Sequence, residues 1–286
     1  MEDNIKKLID LYYTDRKICK ELHIAQKTLK KYKIKNNILN SRIKFQNIQL
    51  NHCFFEEIIT EEQAYWLGFL YADGCIHKDK LIINLIHSDL YHLIKFQKIL
   101  NYNIKPVIRK RNDNRGQDYC NFTISSKKMC NDLIKLGCIP NKTHLLTFPT
   151  EEQVPKHLIH HFIRGFFDGD GCISKTKYYS YAFCGTKDMM NGINKVLIND
   201  KIIKNPIKIS ENKSKTLHII KKSGNIGVLL FKKWLYDNAT IYLERKKDKF
   251  DDVIQINKLL TKCKLCDNEF YAKELCRIHY EKQRYK

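Results

Sequence analysis

The stretch that decides the fold of this chain is Ile163-Arg164-Gly165-Phe166-Phe167-Asp168-Gly169-Asp170-Gly171. A second copy lies earlier in the chain and reads Trp66-Leu67-Gly68-Phe69-Leu70-Tyr71-Ala72-Asp73-Gly74. When Gly68 is aligned with Gly165, Asp73 falls on Asp170, and each copy continues with Cys-Ile and a β-like apolar run. An internal repeat of this kind predicts two similar half-domains, each of which presents one acid from the same structural position.

Each copy is predicted to be a helix that ends in the glycines around its last acid. A glycine in the middle of a helix costs about 1 kcal/mol relative to alanine, so close approach of a second backbone is the natural reason for Gly68 and Gly165. Two helices packed in this way bring Asp73 and Asp170 together at their C-terminal ends. Two neighbouring carboxylates repel unless a cation lies between them, and Mg²⁺ prefers such oxygen ligands. The pair therefore indicates metal-assisted phosphodiester hydrolysis.

Both stretches resemble the LAGLIDADG motif of homing endonucleases, in the form in which one chain carries two motifs. The match departs from the motif at Leu67, Tyr71 and Arg164, but it keeps the glycine and acid positions. Segments 136–142 and 239–246 are also similar to segments of free-standing members. The resemblance implies an α+β fold of tandem pseudo-twofold αββαββα half-domains with antiparallel DNA-binding sheets. It also implies a site-specific endonuclease that hydrolyses one phosphodiester in each strand of double-stranded DNA with a divalent metal.

The resemblance further implies roles for particular residues. Asp73 and Asp170 are the expected catalytic acids and Mg²⁺ ligands, with the backbone carbonyls of Ala72 and Gly169 as further ligands, whereas Asp168 matches a motif acid that is not catalytic. A basic residue is expected near each scissile phosphate, after the last strand of each half. Its role is to stabilise the charge of the transition state or to polarise the attacking water. The positions that fit are Lys127 (or Lys128) and Lys221 (or Lys222).

Five segments are predicted along the chain. The motif helices are expected over residues 61–72 and 155–168, each followed by strands and helices in the order of the αββαββα unit. The predicted segments are a helix–turn–helix DNA-binding module (1–35), a linker (36–60), the first half-domain (61–145), the second half-domain (146–257) and a zinc-finger-like module (258–286).

The N-terminal segment shows apolar residues at helical spacing on both sides of a turn at His23-Ile24. Ile18, Leu29 and Tyr32 are predicted to pack together, and the outward residues of the second helix would then enter the major groove or contact phosphates. A solvated helical hairpin that caps the main domain is the alternative. The candidate DNA contacts in this module and on the strands and turns of the two halves are Gln26, Lys27, Lys30, Lys31, Arg109, Lys110, Arg111, Arg115, Lys175 and Lys177.

The tail contains two ligand pairs, Cys263-x2-Cys266 and Cys276-x2-His279, separated by nine residues. This spacing predicts a tetrahedral Cys₃His zinc site of structural type, because four protein ligands leave no open position for a substrate water. A tail so short would not fold without its metal. We expect the module to add affinity for DNA, with a protein contact as the alternative role.

The composition favours a polyanionic partner. The chain has 286 residues, 43% of them hydrophobic, and 52 Lys and Arg against 31 Asp and Glu give a net charge of +21. Such an excess is typical of proteins that bind nucleic acid. No apolar run approaches the length of a membrane span, and the N-terminus has no signal-peptide layout. The 11 cysteines then predict a reducing intracellular compartment (host cytoplasm, nucleus or organelle), and two acids in one chain predict a monomer.

One other class of function fits the same residues. An RNA maturase or a DNA-binding regulator would keep this fold without cleavage. Retention of both acids argues against that alternative, because a pure binding protein has no need to hold two repelling carboxylates together.

Overall fold

A computed structural model of the chain shows two sheets with helices over one face of each, and smaller units at both ends. The structure describes residues 1–10, 13, 15–36, 38, 50–110, 118–176, 178–211, 216–251, 263, 265–266, 268 and 275–284. Within these ranges, none of the helices has both the length and the apolar character needed to cross a lipid bilayer.

Three helices form the N-terminal unit: α1 (Glu2–Asp10), α2 (Asp15–Glu21) and α3 (Gln26–Lys35). The predicted core is confirmed, because Ile18, Leu29 and Tyr32 are buried together with Ile5. His23, in the turn between α2 and α3, has a φ of 52°, the left-handed conformation that closes a tight turn. A single bridge joins Tyr13 to Ile108, so this unit contacts the edge of the first sheet.

The first half follows the predicted αββαββα order. Its elements are α4 (Glu61–Asp73), β1 (Gly74–His77), β2 (Lys80–Ile86), α5 (Leu90–Ile99), β3 (Val107–Arg109), β4 (Tyr119–Ser125) and α6 (Lys127–Lys135). Thr60 begins α4 with a capping box, in which its side chain accepts from the Gln63 amide and the Gln63 side chain accepts from the Thr60 amide. The strands pair antiparallel in the order β1-β2-β4-β3.

The second half repeats this order and adds a short helix. Its elements are α7 (Ile159–Asp170), β5 (Cys172–Lys175), β6 (Tyr179–Gly185), α8 (Lys187–Asn199), β7 (Ile209–Glu211), β8 (His218–Ser223), α9 (Asn225–Tyr236) and then α10 (Glu244–Asp248). The strand order β5-β6-β8-β7 matches that of the first sheet. The helix predicted over 155–168 begins later, because Pro155 leads into a 3₁₀ turn, Lys156–Leu158, before α7 starts. The last helix described is α11 (Arg277–Arg284).

The two motif helices, α4 and α7, pack directly against each other at their glycines. A Cβ placed on Gly68 would lie 1.9 Å from the Phe162 carbonyl oxygen, and one on Gly165 would lie 1.9 Å from the Tyr65 carbonyl oxygen. Both distances are far inside van der Waals contact, so only glycine allows the two backbones to approach this closely. The predicted reason for the two mid-helix glycines is confirmed, and the contact explains why the two helices end side by side.

Alternation along the strands separates a covered face from an open face in each sheet. In β2 the buried residues Leu81, Ile83 and Leu85 alternate with Ile82 and Asn84, which point to the other face. The covered faces pack under the helices into one continuous hydrophobic core. The open faces belong to the same two sheets that begin directly after Asp73 and Asp170.

Candidate functional site

The last residues of α4 and α7 are the two aligned acids, Asp73 and Asp170. Gly169 lies against the end of the other helix, since a Cβ there would be 2.3 Å from the Ala72 Cβ and 3.2 Å from Asp73 Oδ2. Gly171 and Gly74 then let the chain leave each helix sharply, because a Cβ on either would meet the carbonyl oxygen of the helix's last turn within 2.6 Å. The sequence thus brings both acids to one place where two helices end.

Partial loss of hydration beside the protein changes the ionisation of both acids, although Asp73 is only half-buried and Asp170 is open to solvent. It raises the pKa of Asp73 to about 6, with the charge of Asp170 adding to the shift, and it raises the pKa of Asp170 as well. The charges of Lys142 and Lys246 oppose the shift at both acids. Because two helix C-termini also carry partial negative charge, the site attracts cations.

Lys142 and Lys246 close the ends of the two motif helices in the same way. Lys142 Nζ donates to the carbonyl oxygen of Ala72 at 3.2 Å and to that of Gly74. Lys246 Nζ donates to the carbonyl oxygen of Gly169 at 3.4 Å and to that of Gly171. Each lysine therefore bridges the two residues that flank one acid, and the pseudo-twofold symmetry extends to these cations.

Each lysine segment is anchored by the residue two positions before its acid. In the first half, the Tyr71 hydroxyl donates to the Leu136 carbonyl oxygen at 2.5 Å, just ahead of the turn that carries Lys142. In the second half, the Asp168 carboxylate accepts from the Leu243 amide at 2.7 Å, directly before α10, which carries Lys246.

Asp168 is also the centre of a buried hydrogen-bond network. Its carboxylate accepts from the Tyr65 hydroxyl at 2.7 Å and from the Tyr236 hydroxyl at 2.5 Å. Burial raises the pKa of Asp168 to about 6, although the hydrogen bonds from Tyr236, Leu243 and Tyr65 each lower it. The acid is enclosed by these partners, which agrees with the expected non-catalytic place of this motif position.

Residues of the first half also hold the segment that carries Lys246. The Glu61 carboxylate accepts from the Thr240 amide at 2.8 Å and pairs at 2.5 Å with Arg164, which is buried. The Arg245 guanidinium pairs with the buried Asp89 at 2.7 Å. The position of Lys246 thus depends on both halves.

The lysines predicted from sequence lie elsewhere. Lys127 is the exposed first residue of α6 and follows Ser126, whose amide donates to the Asp79 carbonyl oxygen in the β1–β2 turn. That turn is at the opposite end of β1 from Asp73. Lys128 is half-buried and pairs with Glu56 and Asp132. Lys221 lies on β8, in register through Ala182 with Cys172, so two strand spacings, about 10 Å, separate its backbone from the start of β5. Lys222 is its exposed neighbour.

Sequence reasoning missed Lys142 and Lys246 as site residues, although both end segments that carry the family resemblance. The signal available in the sequence was that each half contains one segment similar to family members, 136–142 or 239–246, and that a lysine ends each of these segments. Their partners, the carbonyls at the motif ends, are distant in sequence and emerge only from the path of the chain.

The predicted DNA contacts that the structure describes are exposed. Gln26, Lys27, Lys30 and Lys31 lie on α3, with Leu29 and Tyr32 of the same helix facing the core. Arg109 ends β3, Lys110 follows it, and Lys175 ends β5. Arg111, Arg115 and Lys177 lie outside the described residues.

The four predicted ligands of the tail come together. The nearest sulfur or nitrogen atoms of Cys263, Cys266, Cys276 and His279 all lie within 4.8 Å of one another. The Cys266–Cys276 sulfur distance is 3.7 Å, and His279 Nδ1 lies 3.2–3.5 Å from the three sulfurs. Zinc bonds of about 2.3 Å to sulfur and 2.0 Å to nitrogen give tetrahedral edges of about 3.5–3.8 Å. This cluster has the donor set and spacing to hold a metal such as zinc.

The donor chemistry at the paired acids also fits a divalent cation. Two carboxylates at two helix ends supply charge, and each flanking carbonyl of Ala72 and Gly169 retains one lone pair beside its bond from a lysine. Oxygen donors of this kind suit Mg²⁺.

Comparison with solved structures identifies the fold. The homing endonuclease I-WcaI bound to its DNA recognition sequence matches with a TM-score of 0.51 and 14% identity, over 67% of this chain and 87% of that chain. The LAGLIDADG meganuclease I-AabMI bound to uncleaved DNA matches with a TM-score of 0.45 and 14% identity, over 71% and 91%. The chain therefore has the homing endonuclease fold that its two motifs predicted.

Comparison of sequences finds two curated relatives, of which the matches cover only a small part. No protein-family model matches the chain. A probable translation initiation factor IF-2 of Methanocaldococcus jannaschii is 25% identical over 204 residues, 65% of this chain. A replication factor C small subunit of the same organism is 27% identical over 207 residues, 71% of this chain. The matches span only 16% and 11% of those proteins. Because their names describe different activities, neither activity is carried over.

Proposed function

We propose that this protein is a site-specific endonuclease that cuts both strands of double-stranded DNA with a divalent metal. The observation that carries the proposal is the paired site, in which two acids at adjoining helix ends, Asp73 half-buried and Asp170 open to solvent, are each flanked by a lysine. The homing endonuclease fold and the net charge of +21 support a DNA substrate. Two acids within one chain support a monomer that supplies one acid to each strand.

The side chains have separate roles in this proposal. Asp73 and Asp170, with the carbonyls of Ala72 and Gly169, would hold Mg²⁺, which when bound activates water and stabilises charge on the phosphate. Lys142 and Lys246 hold the ends of the motif helices and place positive charge beside the reacting phosphate. We assign to these two lysines the electrostatic role that the sequence suggested for Lys127 and Lys221.

The test is strand-resolved cleavage of a randomised duplex library, with Mg²⁺ and with EDTA. Asp73→Asn and Asp170→Asn should each lower cutting about 100- to 1000-fold or leave one strand intact, with duplex binding retained. The matched control is Glu152→Gln, which removes an exposed acid that belongs to neither motif helix. Cutting at wild-type rates by both Asn variants would overturn the proposal. Binding without cutting by the wild type would favour a regulator, or a maturase if structured RNA is bound instead.

We further propose that the ends of the chain extend the DNA footprint. The segments 1–35 and 258–286 would act as a helix–turn–helix module and a zinc module beside the half-domains 61–145 and 146–257, with 36–60 as the linker. Much of the linker lies outside the described residues. In the first module, the exposed Gln26, Lys27, Lys30 and Lys31 on α3 would contact the duplex.

The zinc module has its own test. The full-length protein should contain one zinc per chain, and Cys276→Ser should lose it, because three ligands bind zinc far more weakly than four. Loss of phosphate contacts on removal of 258–286 should flatten the salt dependence of DNA binding by about 0.9 in log–log slope per contact. Full zinc content in Cys276→Ser, or an unchanged slope without the tail, would contradict these assignments.

A further inference from the structure

The open face of the first sheet carries a fixed pair of side-chain amides. Asn84 of β2 lies directly opposite Asn121 of β4 in the strand register. Asn121 Nδ2 donates to Asn84 Oδ1 at 2.8 Å, and the Thr123 hydroxyl donates to Asn121 Oδ1 at 3.2 Å. These two bonds determine which end of each amide faces its neighbour, so the pair is oriented before any ligand arrives.

The two bonds leave Asn84 both of its N–H donors, Asn121 one N–H donor, and each amide oxygen one lone pair for a ligand. In the major groove, adenine presents N7 as an acceptor beside its N6 amino donor, and asparagine amides match this pair of groups. Guanine presents two acceptors at the same place, which Asn121 Oδ1 would repel.

Neighbouring side chains on the open face match the partner base. Ile82 and Ile86 flank Asn84 on β2, and Val107 of β3 lies opposite Asn121. Aliphatic groups at these positions suit the C5-methyl group of thymine. The cationic residues of this face are at its margins, where Lys80 begins β2 and Arg109 ends β3. The centre of the face is therefore built for an A·T pair, and its margins for phosphates.

The second sheet lacks this arrangement at the equivalent place. There the register aligns Cys184 of β6, Ile219 of β8 and Ser210 of β7, in the row that corresponds to Asn84, Asn121 and Val107. This row offers no carboxamide. The two open faces thus differ in what they can recognise, although their strands are arranged alike.

We propose that the Asn84–Asn121 pair reads adenine of an A·T base pair in the half of the target that lies under the first sheet. This inference rests on the proposed function, because it requires duplex DNA on the open face. It goes further in assigning base specificity to two residues and in predicting that the two halves of the target differ.

The experiment is selection of bound duplexes from a randomised library by the full-length protein in EDTA, so that the strands remain intact. Wild type should enrich A·T at one or two adjacent positions that the variant Asn84→Ala/Asn121→Ala no longer enriches. Affinity for the selected site should fall about 5- to 150-fold, the range expected for one bidentate base contact. Affinity for random duplex should change by less than about twofold, because the amides carry no charge. The matched control Cys184→Ala/Ile219→Ala should keep the A·T positions.

The outcomes separate this inference from the proposed function. If the double variant binds duplex and keeps every enriched position, the inference that the pair reads adenine is wrong, while the proposed function stands. Enrichment of G·C at the affected positions would have the same meaning. Equal losses on selected and random duplex, by a variant with an unchanged melting temperature, would also overturn the inference, because they show that the amides do not discriminate between sequences. Wild-type protein that binds no duplex would overturn the proposed function, and the inference with it.

Discussion

The two halves of the molecule reach the same geometry with different residues. In both, a lysine bridges the carbonyls on either side of an aligned acid, but Lys142 lies in a 3₁₀ turn after the left-handed Asn141, whereas Lys246 lies in α10. The first lysine segment is anchored by the neutral hydroxyl of Tyr71, and the second by the buried carboxylate of Asp168. The lysine has the same position beside each acid, whereas the side chain that anchors its segment differs between the two halves.

The largest expected effects come from the two lysines themselves. Lys142→Met and Lys246→Met keep the length of the side chain but remove its charge and the bonds to the helix ends. Each should slow cleavage about 100-fold or more, with the larger effect on one strand, because each lysine bridges the residues around one acid. Initial rates on a duplex labelled separately on each strand measure this difference.

The same assay tests whether Lys127 and Lys221, the lysines expected from the sequence, have the electrostatic role instead. Lys127→Met and Lys221→Met remove exposed charges and should change cleavage by less than about tenfold. If these variants lose activity while Lys142→Met and Lys246→Met keep it, the interpretation from sequence is correct and the one from structure is wrong. Melting temperatures of all four proteins exclude a trivial loss of fold, which matters most for the buried Lys246.

A smaller effect should distinguish the two anchors. Asp168→Asn puts an amide among three donors, so at least one charged hydrogen bond is lost inside the core, at a cost of about 2–3 kcal/mol. Tyr71→Phe removes one neutral hydrogen bond and should cost about 1 kcal/mol. Urea midpoints at an unchanged m-value measure both. Equal costs would show that the charge of the second anchor contributes nothing to stability.

Much of the fold could be predicted from the sequence because it depends on local patterns that occur in both copies of the repeat. Gly68 and Gly165 predicted the close contact of α4 with α7, and the resemblance to the two-motif family implied the αββαββα order. The Cys₃His cluster was predictable for the same reason, since its ligand pairs are close in sequence.

The rest of the site depends on contacts between distant segments. Lys127 and Lys142 follow the last strand of the same half and are alike in sequence terms, but the path of the chain takes Lys127 to the far end of the sheet and Lys142 back to Asp73. The anchoring of α10 by Glu61, Asp89 and Asp168 joins segments from both halves, and no spacing rule indicates it.

The smallest effect concerns His92, a buried histidine of the first half. The left-handed residues Asn101 and Lys201, which follow the caps of the two helices, align His92 of α5 with Gly192 of α8. His92 Nε2 lies 3.0 Å from the Tyr65 hydroxyl. Burial lowers the pKa of His92 to about 3, well below the ordinary value near 6.5. Between these two values the unfolded chain binds one more proton than the folded chain, so His92 makes stability fall as the pH falls.

His92→Met replaces the titrating group with an apolar side chain and should remove this dependence. Relative to the variant, the wild type should lose about 2 kcal/mol of unfolding free energy between pH 7 and pH 5, since each full unit of difference is worth about 1.4 kcal/mol. At pH 7 the two proteins should differ by less than about 1.5 kcal/mol, because Met fills a similar volume and Tyr65 keeps its bond to Asp168. Met189→His buries an imidazole at a fully buried position of α8 and should make stability fall more steeply as the pH falls below about 6.5. Parallel stability curves for wild type and His92→Met would mean that His92 binds protons equally in the folded and unfolded states, which would contradict the lowered pKa.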